Sequence, residues 1–334
     1  MRSKEIFRGG AARALCAALF LSVACLVGAG HVQAQAGWAG ARQGQTGKDL
    51  NAVYFVDSKR GWVAGDGGVV LRTKDGGHSW SPQRFGTTDS VNDIYFRDKE
   101  DGYLLAGNQI FITEDGGETW RLSLKSLPVE FGGAEPEFYS VRFTGKKRGW
   151  VVGSLSRGEN VIDSLVLKTT DGGATWQRQR VPVPDELIHL DFDGDKRGWI
   201  VGNRGRILHT SDGGETWALQ KSGTAAALYH VDFRSGELGW AVGERGTILR
   251  TEDGGETWKA VRSPTKVTLL GVQFVSDDEG WIVGRGGVIL RTEDGGQTWK
   301  SQDSNTRQNL YALFFDKKVG WAVGGDGLVL RYER

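Results

Sequence analysis

Acidic residues followed by paired glycines recur along this chain, and their types and spacing are the first that could do chemistry. The clearest copy reads TEDGGETW, from Thr251 to Trp258. An aspartate beside flexible glycines could hold calcium or another ligand. The pattern T-x-D-G-G-x-[ST]-W occurs six times, however, and a site is seldom needed six times in one small domain. We therefore predict a structural role for its aspartates, Asp75, Asp115, Asp171, Asp212, Asp253 and Asp294, and its tryptophans, Trp80, Trp120, Trp176, Trp217, Trp258 and Trp299.

The residue types of each copy predict a hairpin turn. The aspartate carboxylate can accept hydrogen bonds from backbone N–H groups just downstream, and the glycines tolerate positive φ. Ile248 and Leu249 before the copy, and the Thr-Trp pair at its end, favour strands. We expect the aspartate to lock the turn and the tryptophan to pack beneath it.

The rest of the sequence contains no recognisable catalytic pattern. The histidines His78, His189, His209 and His230 are scattered over different parts of the chain. The motifs of zinc hydrolases, paired zinc-binding cysteines and serine esterases do not occur. Residues 191–195, DFDGD, lack the length and the final glutamate of a calcium loop, so we interpret them as a surface turn. The sequence therefore predicts no catalytic residue, no metal and no cofactor.

The elements that carry these turns belong to a longer repeating unit. Each unit has four short strand-like segments, here named A to D in chain order, and segment B begins with a Gly-aromatic pair. Seven such pairs occur 40 to 49 residues apart, at Gly61-Trp62, Gly102-Tyr103, Gly149-Trp150, Gly198-Trp199, Gly239-Trp240, Gly280-Trp281 and Gly320-Trp321. This period and punctuation are typical of a β-propeller. The predicted fold class is all-β, a seven-bladed propeller of four-stranded blades.

The two ends of the chain complete one another in this prediction. The sequence ends at Arg334, just after strand C of the last unit, so that unit lacks strand D. Gly37-Trp38 stands about as far before Leu50 as Trp217 stands before Leu228. We expect the segment around Trp38 to supply the missing strand, because this closes the ring and removes exposed strand edges.

Residues 1–36 differ from the repeats and predict a signal peptide. A basic start, an apolar run from Ala14 to Val27 and small residues before a cleavage site at Ala34 support this interpretation. An uncleaved anchor and lipidation at Cys25 are the alternatives. Residues 37–334 form the predicted propeller domain. They carry 38 basic and 40 acidic residues and no cysteine, which argues against a nucleic-acid partner and against disulfides.

Two features of the units bear on partners. Residues 122–140 and 154–165 lengthen two units and are interpreted as loops, explained either by drift in loop length or by contact with a partner. Arginines occur at the B–C turns of three consecutive units, at Arg204, Arg245 and Arg285, with Arg206 beside the first. We name these four residues the arginine arc. It would bind carboxylates or polar head groups, unless these turns are merely solvated hairpin tips.

The apolar residues of strand A predict a central channel without converging charges, as expected of a scaffold rather than an enzyme. The pairs that support this expectation are Val53 and Phe55, Ile94 and Phe96, Val141 and Phe143, and Val272 and Phe274.

The repeated turns resemble the Asp-box (BNR) repeats of bacterial sialidases and of some xyloglucan-cleaving glycosidases. The resemblance to sialidases implies an arginine triad, a tyrosine nucleophile and, in most members, an Arg-Ile-Pro element. That element is absent here, and nothing in the sequence nominates a pair of catalytic carboxylates. A glycan-binding or glycoside-hydrolysing propeller is the alternative function.

The whole unit, with L-x-x-V-x-F followed by G-W-x-V-G and the turn, resembles the photosystem II stability/assembly factor family from Trp38 to Arg334. The resemblance implies an exported, non-enzymatic scaffold that binds a newly made membrane protein, which is the D1 reaction-centre protein in photosynthetic members. The partner implied is a membrane-protein client, a photosystem II reaction-centre subunit if the host is phototrophic, with peripheral membrane contact. The location implied is the periplasm, or the thylakoid lumen in a phototroph.

Overall fold

A computed structural model describes residues 37–42, 47–316 and 319–333. The predicted signal peptide, residues 1–36, with Cys25, lies outside the described residues, as does Arg334. Residues 36–334 form one compact unit. The described chain folds into seven antiparallel sheets of four strands each, which confirms the all-β, seven-bladed propeller.

Six of the blades use four consecutive strands each, with strand A innermost. In blades one to three these are β2 Leu50–Phe55, β3 Gly61–Gly65, β4 Val69–Thr73 and β5 Ser81–Gln83; β6 Val91–Phe96, β7 Gly102–Ala106, β8 Gln109–Thr113 and β9 Arg121–Lys125; and β10 Glu135–Thr144, β11 Arg148–Arg157, β12 Asn160–Thr169 and β13 Gln177–Gln179. In blades four to six they are β14 Leu187–Asp193, β15 Arg197–Gly202, β16 Ile207–Thr210 and β17 Ala218–Gln220; β18 Leu228–Phe233, β19 Gly239–Gly243, β20 Ile248–Thr251 and β21 Lys259–Ala260; and β22 Leu269–Phe274, β23 Gly280–Gly284, β24 Ile289–Thr292 and β25 Lys300–Gln302. Short 3₁₀ turns lie at Asp66–Gly68, Pro128–Phe131, Asn203–Gly205, Glu244–Gly246, Arg285–Gly287 and Gly325–Gly327.

The seventh blade joins the two ends of the described chain. It contains β26 Leu310–Asp316, β27 Val319–Gly324, β28 Leu328–Glu333 and, as its outer strand, β1 Gly37–Arg42. Strand β1 runs antiparallel to β28, with Trp38 opposite Tyr332. Strand β26 also contacts β2 of blade one. The expectation that the segment around Trp38 completes the last blade is therefore confirmed.

Neighbouring blades are joined by stacked aromatic rings. The ring of the Gly-aromatic pair in one blade lies on the phenylalanine that ends strand A of the next blade, for example Trp240 on Phe274 with ring centroids 3.4 Å apart. All seven junctions have this stack: Trp62–Phe96, Tyr103–Phe143, Trp150–Phe192, Trp199–Phe233, Trp240–Phe274, Trp281–Phe315 and Trp321–Phe55. The tryptophans of these stacks are buried, so the ring of blades is closed through its apolar core.

A second tryptophan completes each junction. The tryptophan of the Asp-Gly-Gly turn meets the same phenylalanine edge-on, as Trp299 meets Phe274 at 5.7 Å and 88°. Among the described residues of blade seven there is no such turn, and Trp38 meets Phe315 at 5.7 Å and 89° in its place. Strand β1 thus supplies both the missing hydrogen-bonded edge and the missing ring.

Three of the six indole N–H groups connect these stacks to the turns of the next blade, whereas those of Trp62, Trp150 and Trp281 have no partner among the described residues. Trp240 donates to the carbonyl oxygen of Gly295 at 3.2 Å, and Trp199 donates to that of Gly254 at 2.9 Å. Trp321 donates to the carbonyl oxygen of Gly76 at 3.0 Å across the closing junction. In the pair Gly102-Tyr103, where tyrosine replaces tryptophan, the Tyr103 hydroxyl makes a similar bond and donates to the carbonyl of Gly172 at 3.1 Å.

The Asp-Gly-Gly turns are held by a dense set of side-chain hydrogen bonds. In the copy at Asp253, the Thr257 N–H donates to Oδ1 at 2.9 Å and its hydroxyl donates to Oδ2 at 2.5 Å. The Thr251 hydroxyl donates to Oδ1 at 2.8 Å and accepts from the Gly255 N–H at 2.8 Å. Gly254 and Gly255 have φ of 71° and 90°, which glycine adopts without strain.

Three local sequence interpretations are wrong. Residues 122–140 are not one loop, because they include most of β9, the 3₁₀ turn Pro128–Phe131 and the start of β10. Residues 154–165 continue β11 and β12 as a long hairpin, whose two strands pair as far as Arg157 and Asn160. Residues 191–195 are not a surface turn throughout, since Asp191 and Asp193 lie in the innermost strand β14. In each case, part of a segment with loop-like composition is paired with a neighbouring strand.

We predict that removing one ring from a junction destabilises the whole propeller. W240A should lower the free energy of unfolding by about 3–5 kcal/mol, because it deletes a buried stack and leaves a cavity. W240F should lower it less, since it keeps a ring and loses the N–H bond to Gly295. Urea unfolding followed by fluorescence measures both. The matched control is L219A at a side chain 49% exposed, expected within about 0.5 kcal/mol of wild type; a W240A value in that range contradicts the prediction.

A second prediction concerns acid. Hydrogen bonds from Thr257 hold the pKa of the Asp253 carboxyl at about 2, below its ordinary value of 3.8. The stabilisation is therefore fully present above pH 4 and is lost as pH falls towards 2. We expect D253N to be less stable than wild type at pH 7, with the difference shrinking below pH 4. Thermal unfolding at pH 7, 4 and 2.5 measures this, and a difference that stays constant with pH would show that the carboxylate charge is irrelevant.

Candidate functional site

The B–C turns place the arginine arc on one face of the propeller. The turn backbones bond to the connections that lead from the preceding blade: Glu244 N–H donates to the Ala227 carbonyl at 2.9 Å, and Arg285 N–H to the Thr268 carbonyl at 3.0 Å. We call the face formed by these turns and connections the B–C face. The A–B turns lie at the opposite ends of the same strands, on what we call the A–B face.

The three turn arginines are exposed on the B–C face, but they are not equivalent. Arg204 and Arg245 both occupy the left-handed position of their turns, each with φ of 56°. In the third turn Gly286 has that conformation, with φ of 65°. Arg285 stands one residue earlier, in the place of Glu244 and Asn203 in their own turns. Three guanidinium groups on adjacent blades therefore reach solvent from two different turn positions.

Arg206 has a different environment from the other members of the arc. Its Nε donates to Asp185 Oδ2 at 2.5 Å, and Asp185 is only 4% exposed. Arg204 Nη1 lies 3.2 Å from the other oxygen of this carboxylate while its side chain is 77% exposed. Asp185 thus neutralises Arg206 and orients Arg204. The charge presented to solvent comes from Arg204, Arg245 and Arg285.

The half-buried acids beside the arc are turned towards the protein. Glu186 Oε2 accepts from the Asn203 amide at 2.5 Å, and Glu244 Oε2 accepts from the Ala227 N–H at 3.2 Å. Sequence reasoning missed further exposed cations on the same face, which follow strand D of blades four to six: Lys221, Arg262, Lys266 and Arg307. Asp303 is an exposed acid among them. Aligning the segments after each turn tryptophan would have revealed these cations.

The extended hairpin of blade three stands beside the arc. Strands β11 and β12 run ten residues each and end at Arg157 and Asn160. Arg157 Nη2 donates to the Gly132 carbonyl at 3.0 Å, which fastens the hairpin to the preceding connection. Exposed aliphatic side chains lie in the preceding connection, at Leu127 and Val129, and in the hairpin, at Val161 and Ile162, with Val129 80% exposed. The B–C face therefore combines outward arginines with an apolar edge.

The expectation of an apolar central channel is wrong. The residues on which it rested, Val53, Phe55, Ile94, Phe96, Val141, Phe143, Val272 and Phe274, are buried in the cores between blades, and only Val53, Ile94, Phe143 and Val272 also border the central cavity. The other side of strand A faces a cavity of about 500 Å³. Its polar lining comes from all seven blades, and the part from blades two to six includes Asp93, Arg142, His189, Asp191, His230, Asp232 and Gln273.

Several of these polar residues bond the backbone of the next blade. Asp191 Oδ2 accepts from the Phe233 N–H at 2.7 Å, and Asp232 Oδ2 accepts from the Phe274 N–H at 2.9 Å. Gln273 Oε1 accepts from the Phe315 N–H at 2.8 Å in the same position one blade later. The innermost strands have a free edge, and these bonds satisfy N–H groups along it.

The charged groups in the channel lie close to one another and affect one another's protonation. Arg142 Nη1 lies 2.8 Å from Asp93 Oδ2, and its Nη2 lies 2.8 Å from His189 Nε2, which accepts because a guanidinium can only donate. Burial raises the pKa of Asp191 to about 6. Burial, followed by the charge of Asp191, raises the pKa of Asp232 to about 8. Burial also lowers the pKa of His189, and it lowers that of His230 to about 3, so both rings are neutral.

The described part of the chain shows no metal centre. Within it, no group of three or more His, Cys, Asp or Glu side chains is placed to hold a metal ion. None of its helices has the length and apolar character needed to cross a bilayer.

Comparison with known proteins gives one family. The family model described as photosynthesis system II assembly factor YCF48 matches residues 79–179, 134–221, 217–307 and 263–333. No curated protein sequence matches the chain.

Solved structures show the same fold. YCF48 bound to a D1 peptide is 22% identical, with 89% of this chain and 97% of that chain covered and a TM-score of 0.71. YCF48 from Cyanidioschyzon merolae is 20% identical, with 89% and 98% covered and a TM-score of 0.70. A catalytically inactive virginiamycin B lyase from Staphylococcus aureus with quinupristin is 12% identical, with 90% and 100% covered and a TM-score of 0.73. At these identities the likeness is one of fold, and the fold is shared by a lyase.

The channel carboxylates lead to a prediction about stability. The folded-state pKa of Asp232 lies above its ordinary value of 3.8. The contribution of Asp232 to stability is therefore most favourable below pH 4, and it falls as pH rises to about 8. D232N should remove this loss, because Gln273 shows that a neutral amide accepts the same backbone bond. We expect D232N to be more stable at pH 8.5 by about 1–3 kcal/mol, since one pKa unit corresponds to about 1.36 kcal/mol.

The control for this prediction is D195N, at an exposed aspartate outside the channel. Urea unfolding at pH 5 and pH 8.5 compares both variants with wild type. A D232N variant that is less stable than wild type at pH 8.5 would show that the ionised carboxylate is favourable in the channel.

Proposed function

Because the chain belongs to the family of the photosynthesis system II assembly factor YCF48, we propose that it is a scaffold that binds a membrane-protein client and assists its biogenesis without catalysis. The client is a photosystem II reaction-centre subunit if the host is phototrophic. The protein acts after export through a Sec-type signal peptide, in the periplasm or the thylakoid lumen. One relative of this family has been solved with a D1 peptide, which supports a protein client.

The observation that carries the proposed site is the direction of charge on the B–C face. Arg204, Arg245 and Arg285 are exposed on three adjacent blades, while Asp185, Glu186 and Glu244 bind groups of the protein itself. A surface with outward guanidinium groups and inward carboxylates attracts an acidic segment or a carboxyl terminus.

The apolar edge of blade three extends this surface. Exposed Val129 lies in the connection that leads into blade three, and exposed Ile162 lies in the hairpin of blade three. Blade three is the neighbour of blade four, which carries Arg204. A membrane-protein client presents both polar ends and apolar segments, and a face with arginines beside aliphatic side chains suits both. The same combination supports peripheral contact with the membrane that holds the client.

One observation favours the alternative, a glycan-binding or glycoside-hydrolysing propeller. Asp191 and Asp232 lie in adjacent innermost strands, line the central cavity and have raised pKa values, as an acid/base pair would. Against it, both carboxylates accept the same type of backbone bond that Gln273 accepts. Glutamine cannot transfer a proton, so the bond itself is explained without catalysis.

We predict that charge reversal on the arc removes client binding. The combined variant R204E/R245E/R285E, immobilised as residues 36–334, should retain at least tenfold less membrane protein from detergent-solubilised envelope membranes of the source organism than wild type. Quantitative mass spectrometry of the bound fraction measures this. The physical reason is that three attractive charges become repulsive at one surface.

The matched control reverses the same number of charges on the opposite face. Lys59, Lys147 and Lys196 are exposed in A–B turns, and K59E/K147E/K196E should bind the client as wild type does. If both combined variants lose binding equally, general electrostatics and not the arc is responsible. If neither loses it, the arc is a solvated rim. Retention on a glycan column, with no protein client, would replace the scaffold by the carbohydrate alternative.

A further inference from the structure

The propeller breaks its own repeat at two positions of the innermost strand. We number six positions of strand A from Leu50, Val91, Phe138, Leu187, Leu228, Leu269 and Leu310 in blades one to seven. The sixth position is phenylalanine in all seven blades, and the first and fourth are apolar in all seven. The third residue varies as Ala52, Asp93, Ser140, His189, His230, Gly271 and Ala312, and the fifth as Tyr54, Tyr95, Arg142, Asp191, Asp232, Gln273 and Phe314. Most of these side chains line the central cavity. Because the repeat does not fix the residue type at these two positions, their side chains can serve a ligand in addition to the backbone bonds that some of them make.

The two carboxylates lower the stability of the folded protein more than neutral residues at the same positions would. Asp191 and Asp232 bond the backbone of the next blade, but Gln273 makes the equivalent bond without charge at 2.8 Å. Two adjacent carboxylates in a cavity repel each other and lose hydration. A feature that costs stability while a neutral residue would serve indicates a function at that place.

An aromatic wall faces these carboxylates across the channel. Tyr54 lies between Tyr95 and Phe314, with ring centroids 5.4 Å and 5.0 Å away. These rings belong to blades one, two and seven, and the carboxylates belong to blades four and five. In a closed ring of seven blades these two sectors are opposite one another. Carboxylates on one side and aromatic rings on the other suit an organic cation, whose charge the carboxylates attract and whose apolar body packs against the rings.

One buried polar atom beside the cavity has no partner among the described residues. His230 lines the cavity and stacks on His189 with ring centroids 3.6 Å apart. Its Nδ1 is buried and has no hydrogen-bond partner among the described residues. A buried polar atom without a partner is unfavourable unless something else satisfies it. When His230 carries its proton on Nε2, Nδ1 is an acceptor, and a hydrogen-bond donor would satisfy it.

The lining excludes other ligand classes. The cation that could bind an anion, Arg142, is already paired with Asp93 and bonded to His189. A metal ion is disfavoured, since within the described residues no group of three suitable ligands meets. The remaining class is a donor with positive charge and an apolar body.

We propose that the central channel binds an organic ammonium group, held between Asp191 and Asp232, with its alkyl substituents against Tyr54, Tyr95 and Phe314. The ammonium group belongs either to a free small amine, which a cavity of about 500 Å³ can enclose, or to a lysine side chain entering from a channel mouth. The site is separate from the arginine arc, and neither proposal depends on the other.

The test is a calorimetric titration of residues 36–334 with n-butylammonium, using n-butanol as the uncharged probe of similar shape. We expect butylammonium to bind and butanol not to bind. The variant D191N/D232N keeps an amide acceptor for each backbone bond, as Gln273 does, and should weaken butylammonium binding at least tenfold. D195N is the matched control and should bind as wild type does. Thermal unfolding checks that both variants are folded.

Proton release distinguishes the channel from a surface site. The ammonium ion binds the ionised carboxylates, so its binding should release the proton held by Asp232. The affinity for the ammonium ion should therefore rise between pH 6 and 8.5. The other titratable or charged groups that face this pair are Tyr54, Tyr95, Asp93, Arg142, His189, Asp193, His230 and Arg234. Titrations in two buffers of different ionisation enthalpy count the protons released.

A second arm identifies the source of the ammonium group. A short peptide with one lysine is compared with its acetyl-lysine form. Binding of the lysine peptide alone, lost in D191N/D232N, supports the proposal with a side chain as ligand. The proposal is overturned if neither butylammonium nor the lysine peptide binds. It is also overturned if butanol binds equally well, or if D191N/D232N binds as wild type does.

Discussion

The structure depends on one repeated contact, a phenylalanine held between two tryptophans where neighbouring blades meet. Phe274, for example, stacks on Trp240 and meets Trp299 edge-on. A four-stranded blade has two apolar faces and cannot bury them alone, so each blade is stable only against its neighbours. The contact occurs at every junction, with Tyr103 in place of one tryptophan at Phe143 and with Trp38 completing the last junction. Closure of the ring follows from this packing, and the turn hydrogen bonds fix the geometry in which it occurs.

Because the blades are fixed in this way, the two candidate sites are positioned by rigid elements. The arginine arc lies on turns whose backbones are bonded to the neighbouring connections, and Asp185 orients Arg204. The channel groups lie on innermost strands that the Trp–Phe stacks hold at a constant spacing. The proposed roles differ accordingly: contact with a large partner on the B–C face, and binding of a small group in the channel. A family scaffold with both would bind its client on one face while the channel responds to a separate ligand.

The sequence predicts the fold well, because the junction contact is written in local patterns. The Gly-Trp pairs, the Asp-Gly-Gly turns and the position of Trp38 suffice to give seven blades and their closure. The channel could not be predicted in the same way. Strand A is buried on one side and faces the cavity on the other, and the apolar half, such as Val53 and Phe55, dominates its pattern. Asp191 looked like part of a turn because DFDGD has turn composition. Whether Arg206 is free or paired depends on Asp185, which is distant in sequence.

The central claim is that the B–C face binds the client. Hydrogen–deuterium exchange of residues 36–334, with and without envelope membrane vesicles from the source organism, tests it most directly. With vesicles present, we expect slower amide exchange at the turns Asn203–Gly205, Glu244–Gly246 and Arg285–Gly287 and in the hairpin of β11 and β12. We expect no change in the A–B turns. Protection confined to the A–B turns or to the Asp-Gly-Gly turns would contradict it.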